Sequence, residues 1–187
     1  DFKASMEALK PDVKITTEQF PKLLAGQYGA EISALLVDKP DVVHSSFWGG
    51  DMEALVLQGK ARGIFEDRNV VLTCGETAMF RLASQIPNGA VLGGRGPHGV
   101  FAPDNALNRW FRAAYTERYG TPPTYPSYKM VQAILGLKAA TEKAAGGKPG
   151  QPSEEAVIAA FEGLSFETPS GTVDMKLGKG HQAVQST

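Results

Sequence analysis

The chain has 187 residues, of which 42% are hydrophobic and 21% charged, with a formal net charge of -1. This length can bury a sizeable core, as one large domain or two small ones. The near-neutral charge argues against nucleic acid as a partner, and the single cysteine, Cys74, excludes an intramolecular disulfide framework. No apolar run approaches the roughly 20 residues that a membrane-spanning helix needs.

The first part of the chain alternates between helical and strand-like segments. A helix over residues 2–9 stops before Pro11, and a β-branched alternation predicts a strand over residues 13–20. Apolar spacing predicts a helix over residues 28–37 and a strand over residues 41–48. The same reasoning predicts a helix carrying Met52, Leu55, Val56 and Gly59 on one face, strands at residues 69–74 and 90–94, and a short helix at residues 78–84. Strands separated by helices favour βαβ crossovers, and therefore an α/β fold with a parallel sheet flanked by helices.

The pattern changes after Gly94, where a Gly- and Pro-rich segment suits a linker and marks a lobe boundary. Long helices are predicted over residues 104–119 and 126–145. In the first of them, core-facing packing is predicted for Leu107, Trp110, Phe111, Ala114 and Tyr115. Ser153 is the predicted cap of a helix over residues 154–164, and residues 166–177 are typical of a hairpin.

The motifs of common enzymes fail a physical test in this sequence. Residues 94–99 match a dinucleotide-binding glycine spacing, but Pro97 removes an amide donor and no helix opens there. The three histidines, His44, His98 and His181, have no close metal-ligand spacing. Acidic residues such as Asp51 and Glu53 lie where a first helical turn favours negative charge. We therefore expect neither enzymatic activity, nor a cofactor, nor a metal site.

Two loops that follow predicted strands carry the candidate site. Ligands in open α/β sheets bind beyond the carboxyl ends of the strands. Trp48 can stack on an apolar or aromatic group, while Gly49 and Gly50 allow close approach of the backbone. For Asp51, capping of the following helix is favoured over ligand contact. Glu76 can either pair with a ligand ammonium or serve as a loop or cap carboxylate, and the residues alone leave both open.

The chain resembles the type I periplasmic binding proteins of the leucine/isoleucine/valine-binding family, which serve ABC transporters. Three segments carry the resemblance, in this order: AEISALLVDKPDVVHSSFWGGDMEALVLQGKARGI, FRAAYTERYGTPPTYPSYKMVQAILGLKAA and FEGLSFETPSGTVDMKLGKGHQAVQ. Together they span nearly the whole chain, which makes them more specific than any single motif. The resemblance implies that the chain is the C-terminal part of such a protein.

Members of this family have two α/β lobes joined by three crossovers, with the ligand held in the cleft between them. The resemblance implies that residues 1–92 form most of the second lobe and that residues 93–100 form a crossover. Residues 101–164 would be part of the first lobe, and residues 165–187 the final crossover and the return to the second lobe. The opening half of the family pattern, with the loop that grips a ligand carboxylate, is absent, so we expect this chain to carry half of a site.

The resemblance also implies a function and the residues that serve it. The position of Trp48 matches an aromatic residue that contacts ligand, and Glu76 lies at or next to the acidic position that receives an amino group. With Gly49 and Asp51 these residues form the predicted ligand-binding set. The implied protein captures a small amino acid or related carboxylate, aromatic ones included, and delivers it to the membrane subunits of an ABC permease.

The implied location is the periplasm, or a lipid-anchored position outside the cytoplasm, with the signal peptide in the missing N-terminal part. A ligand-sensing receptor or regulatory domain of the same fold is the alternative function. The sequences flanking the chain would separate the two, because a following transmembrane helix or regulatory partner favours sensing.

Overall fold

The computed structural model describes residues 2–94, 96–178 and 182–185. Its helices are α1 (Phe2–Leu9), α2 (Gly29–Asp38), α3 (Gly49–Ala61), α4 (Ala106–Tyr119), α5 (Tyr125–Ala145) and α6 (Glu154–Ala160). Its strands are β1 (Val42–Ser45), β2 (Asn69–Leu72), β3 (Val91–Leu92), β4 (Ser165–Thr168), β5 (Gly171–Leu177) and β6 (Gln182–Gln185). The chain divides into two compact units, Asp1–Gly94 and Arg95–Thr187. The assignment of each segment to a lobe stays a prediction.

The first unit is built on a parallel sheet in the order β1-β2-β3. Val43 pairs with Val70, and Val71 pairs with Val91. Each of the first two strands alternates buried and less buried side chains, as expected of a sheet with an apolar face. The predicted α/β fold with a parallel sheet flanked by helices is confirmed.

Helix α3 supplies much of the core of this unit. Met52, Leu55 and Val56 are buried, as the helical spacing predicts, and they join a cluster with side chains from α2 and both longer strands. Gly59 lies on the same face, where an added Cβ would come within 2.6 Å of the Ile64 Cγ2 atom. A side chain at this position would therefore push α3 away from its neighbours.

Two predicted elements of the first unit are wrong. Residues 13–20 form no strand, because no described residue pairs with them and a strand requires a partner for its backbone groups. Phe20, the last residue of that segment, is 87% exposed. Residues 78–84 form successive turns, in which isolated bonds such as Leu82 N–H to Ala78 O do not extend into a helix.

The second unit contains helices α4, α5 and α6 and an antiparallel sheet in the order β4-β5-β6. The predicted hairpin is confirmed, with Thr168 opposite Gly171 across a two-residue turn. The Ser153 hydroxyl accepts the Ala156 N–H at 3.3 Å, which confirms the predicted cap of α6. That helix ends at Ala160 instead of residue 164, and turns follow it.

Aromatic and polar side chains hold α4 against α5. The rings of Phe111 and Tyr128 meet edge to face, with their centroids 5.0 Å apart. The Tyr128 hydroxyl donates to Asn108 Oδ1 at 2.8 Å. Trp110, in contrast, is 62% exposed, so the predicted core-facing role is wrong for this residue. Consecutive residues on a helix point in different directions. Phe111 therefore lies on the face of α4 that packs against α5, whereas Trp110 does not. None of the described helices is long and apolar enough to cross a membrane.

Candidate ligand-binding site

The loops that follow the three parallel strands lie side by side at one edge of the sheet. The Thr73 N–H donates to Ser45 O at 3.0 Å, and the Gly93 N–H donates to Leu72 O at 2.9 Å. These two bonds continue the pairing beyond the ends of the strands. We call the part of the sheet where β1, β2 and β3 end the carboxyl edge. In open α/β sheets, ligands bind at the corresponding edge.

Close approach at the carboxyl edge depends on a glycine that the sequence reasoning did not single out. A Cβ on Gly93 would lie 2.3 Å from the carbonyl oxygen of Thr73, closer than atoms can approach. Because the obstacle is backbone, it cannot move aside without breaking the pairing of the strands. The signal in the sequence was the pair Gly93 and Gly94 directly after an apolar strand.

Trp48 lies at the end of the first of these loops and is the N-cap residue of α3. Its backbone is extended (φ -142°, ψ 165°), and its side chain is 66% exposed. Gly49 follows with φ +56°, a conformation that favours glycine. Around both Gly49 and Gly50, no described heavy atom that could obstruct a Cβ lies within 4 Å. The structure thus places an exposed flat ring beside accessible backbone.

The predicted capping role of Asp51 is wrong. Asp51 is the third residue of α3, and no side-chain bond caps the helix at Trp48 among the described residues. The carboxylate is only 7% exposed, and its Oδ2 atom accepts the Leu24 N–H at 2.9 Å. The recorded partner of this carboxylate is thus a backbone amide 27 residues away and not an amide of its own helix start, so Asp51 anchors a distant segment instead. A ligand contact by Asp51 stays a prediction.

Glu76 lies in a short 3₁₀ helix, Gly75–Thr77, directly after β2. It therefore follows the strand next to the one that leads to Trp48, as the sequence predicts for two loops at one edge. Its side chain is 5% exposed, so its carboxylate lies largely inside the first unit. The structure brings the Trp48 and Glu76 loops to the same edge, whereas the role of either residue in binding stays a prediction.

His44, near the end of β1, adds a titratable group that the sequence reasoning treated only as a poor metal ligand. Its Nε2 atom is 2.9 Å from the Thr73 hydroxyl, and its ring stacks on Phe2 with centroids 3.7 Å apart. Burial lowers the pKa of His44 below its ordinary value of 6.5, so the neutral form is favoured. A polar residue inside an apolar strand was the signal for this contact.

The described residues form no metal centre, and the cavity described below lies away from the carboxyl edge. Within the described residues, no group of three His, Cys, Asp or Glu side chains could hold a metal ion. A cavity of about 440 Å³ opens at the opposite end of the strands, next to Asp41 and Arg68, which precede β1 and β2. It is lined by charges of both signs, among them Lys39, Arg62 and Glu66, and most of these side chains are exposed. Its surface lacks the apolar character that most small-molecule sites have.

Comparison with known proteins gives one family and a consistent set of folds. The family model described as "Periplasmic binding protein" matches residues 1–187. The search of curated proteins finds no match.

Three solved structures illustrate the likeness of fold. An amino acid ABC transporter substrate-binding protein from Pseudomonas fluorescens Pf-5 is 22% identical, with a TM-score of 0.70, over 97% of this chain and 47% of that one. A solute binding protein of an ABC transporter from R. palustris, solved in complex with benzoate, is 20% identical, with a TM-score of 0.75, over 98% and 48%. A leucine binding protein from Thermotoga maritima MSB8 is 17% identical, with a TM-score of 0.65, over 88% and 45%. The chain spans about half the length of these solved structures.

Proposed function

Since the chain belongs to the periplasmic binding protein family, we propose that it is the solute-binding part of an ABC transporter. It captures a small amino acid or related carboxylate, aromatic acids included, in a cleft between two lobes. It then presents this solute, outside the cytoplasm, to the membrane subunits of a permease. No step makes or breaks a covalent bond, because binding alone supplies the function.

The exposed Trp48 at the carboxyl edge is the observation that carries this proposal. A large aromatic side chain left 66% exposed offers a wide apolar face that water solvates poorly. Stacking against the flat or apolar part of a solute would cover that face. The neighbouring Gly49 and Gly50 leave the backbone open, so a solute can approach without meeting a side chain.

Glu76 accounts for the amino acid part of the proposal. A carboxylate at the same edge as Trp48 would form a charge-assisted hydrogen bond with a ligand ammonium. Its burial strengthens such a bond, because the low local dielectric reduces screening. Aromatic acids enter the proposal through Trp48, and the benzoate-bound relative from R. palustris supports them as candidates.

Titration of the full-length protein tests the proposal. The solutes tested are leucine, phenylalanine, benzoate and 4-hydroxybenzoate. Calorimetry measures the binding of each solute, and a thermal scan measures the shift that it causes in the unfolding midpoint. We expect at least one of these solutes to bind and to raise the midpoint, because a ligand that binds only the folded state stabilises it. Absence of binding by every amino acid and aromatic acid tested would overturn the proposal.

Truncation of the exposed ring tests the role of Trp48. The Trp48→Ala variant is expected to weaken binding about 30-fold, the effect of losing a central aromatic contact, with little change in stability. Trp110→Ala is the matched control, because Trp110 is nearly as exposed (62%) but lies on α4 of the second unit. It should leave the affinity unchanged. Equal affinities for Trp48→Ala and the wild type would remove Trp48 from the site.

A further inference from the structure

We propose that Tyr28 and Phe47 are positioning residues, which fix the backbone from which Trp48 meets its ligand. Gln58 of α3 holds Tyr28 in turn by a hydrogen bond, and Asp51 of the same helix interacts electrostatically with the Tyr28 hydroxyl. The effect on affinity rests on the proposed function, whereas the effect on the motion of Trp48 is independent of any ligand.

Two aromatic rings are in contact next to Trp48. Phe47 directly precedes Trp48, and its ring centroid lies 4.9 Å from that of Tyr28, with the planes tilted by 57°. Tyr28 is fully buried, and Phe47 packs against the same core. The Phe47 N–H also donates to the Ser45 hydroxyl at 3.1 Å. The residue before Trp48 is therefore held by a side-chain and a backbone contact.

Hydrogen bonds hold both the backbone and the side chain of Tyr28. Its N–H donates to Gln58 Oε1 at 2.9 Å, and the Gln58 amide donates to Gly26 O at 2.9 Å. Its hydroxyl accepts the Gly26 N–H at 3.3 Å and lies within electrostatic reach of the Asp51 carboxylate. Burial, with help from Asp51, raises the pKa of Tyr28, so the hydroxyl keeps its proton.

Together these contacts form a closed cycle that begins and ends at α3. Asp51 and Gln58 lie seven residues apart, which places them on one face of α3 about two turns apart. Trp48 is the N-cap of that same helix, so α3 is fixed to Tyr28, Tyr28 to Phe47, and Phe47 to Trp48. A closed set of contacts restrains its members more than a linear one does, because no member can rotate alone.

This restraint matters because the Trp48 side chain has few contacts of its own. With 66% of its surface exposed, the ring depends on its backbone for orientation. A ring that is already ordered before binding loses less conformational freedom when the ligand arrives. Phe47 and Tyr28 would thus contribute to affinity without touching the ligand.

The mechanical part of the inference is tested on the full chain without ligand. Among these 187 residues, Trp110→Phe leaves Trp48 as the only tryptophan, so the fluorescence anisotropy of this chain then reports the motion of Trp48. In this background we expect Phe47→Leu to lower the anisotropy of Trp48, because leucine does not reach the Tyr28 ring. Phe65→Leu is the matched control: Phe65 is buried in the same core but contacts Gly59, at the other end of α3. It should leave the anisotropy unchanged, and equal changes in the two variants would overturn the inference.

A gentler variant keeps the test usable if Phe47→Leu fails to fold. Tyr28→Phe keeps the ring that faces Phe47 and removes only the hydroxyl that reaches Asp51 and Gly26. We expect it to lower the anisotropy of Trp48 by a smaller amount. An anisotropy equal to that of the parent protein would count against the role of Tyr28.

The affinity part is tested by titrating the same variants of the full-length protein with the solute among leucine, phenylalanine, benzoate and 4-hydroxybenzoate that binds the parent protein. Phe47→Leu is expected to weaken binding about tenfold, a common size for coupled neighbours, and Phe65→Leu to leave binding unchanged. When Trp48 is already alanine, Phe47→Leu should cause no further loss, because its effect passes through the missing ring. An undiminished loss in that background would overturn the inference. Failure of the proposed function is separable, since none of the four solutes would then bind the parent protein while the anisotropy comparison still stands.

Discussion

Single residues decide how closely the loops of the carboxyl edge approach one another. Gly93 has no room for a side chain, because a Cβ there would meet the Thr73 carbonyl at 2.3 Å. Gly50, in the first turn of α3, has open space around it and no unusual φ. The two glycines look alike in the sequence, yet only the first is required by its surroundings.

Alanine substitution separates these two cases. Gly93→Ala is expected to lower the free energy of unfolding by about 2 kcal/mol, because the strand ends must move apart to admit the methyl group. Gly50→Ala is expected to raise it by about 0.5 kcal/mol, since alanine has less backbone freedom to lose in a helix. Urea unfolding followed by circular dichroism measures both. Similar free energies of unfolding for the two variants would show that Gly93 is not a packing requirement.

At the scale of elements, α4 and α6 of the second unit each begin at a side-chain cap, and the two caps make different numbers of hydrogen bonds. Ser153 caps α6 through one bond, from the Ala156 N–H at 3.3 Å. Asn105 caps α4 with Oδ1, which accepts the Asn108 N–H at 2.7 Å, and its amide also donates to Thr168 O at 3.3 Å. Asn105 therefore ties a helix to a strand, whereas Ser153 serves one helix.

Removal of the two caps should show this difference. Ser153→Ala is expected to cost about 1 kcal/mol of stability, the usual effect of losing a cap. Asn105→Ala should cost more, because the bond to β4 is lost as well. Asn105→Asp is the control that keeps the capping acceptor and removes the amide donor, so it should fall between wild type and Asn105→Ala. Thermal and urea unfolding give the ranking, and an Asn105→Ala variant as stable as Ser153→Ala would contradict it.

At the scale of the whole molecule, the charges are balanced and spread over the surface. The formal net charge is -1, and several ion pairs of the described residues join exposed side chains, among them Lys3 with Glu18, Lys10 with Asp12, Arg109 with Asp104, and Lys138 with Glu142. Exposed pairs of this kind contribute little, since water and salt screen them. We therefore expect the stability of the described part of the chain to come mainly from apolar clusters such as the two around Ile32 and Ala140.

Variation of the ionic strength checks this balance. Between about 0.01 M and about 0.15 M NaCl the Debye length falls from about 30 Å to about 8 Å. We expect the thermal unfolding midpoint to move by less than about 2 °C, because neither the net charge nor the surface pairs supply much free energy. Scanning calorimetry at matched pH measures the unfolding midpoint at each salt concentration. A drop of many degrees would show that ion pairs hold the structure together.

The sequence by itself determined the alternation of helices and strands around a parallel sheet and the place of the Trp48 loop at its edge. Apolar periodicity carries this information, because a helix face and a strand face repeat at different intervals. It also determined the Ser153 cap and the hairpin, which depend on neighbours only a few residues away.

Only the tertiary structure decided which isolated segments find partners. Residues 13–20 have the alternation of a strand but no described partner, and Asp51 holds Leu24 instead of capping its own helix. The link from Gln58 to Tyr28 joins residues 30 positions apart, and the one from Tyr28 to Phe47 joins residues 19 positions apart. Such contacts depend on how the folded chain brings distant segments together. The spacing of residues within one segment does not predict which distant segment it will contact.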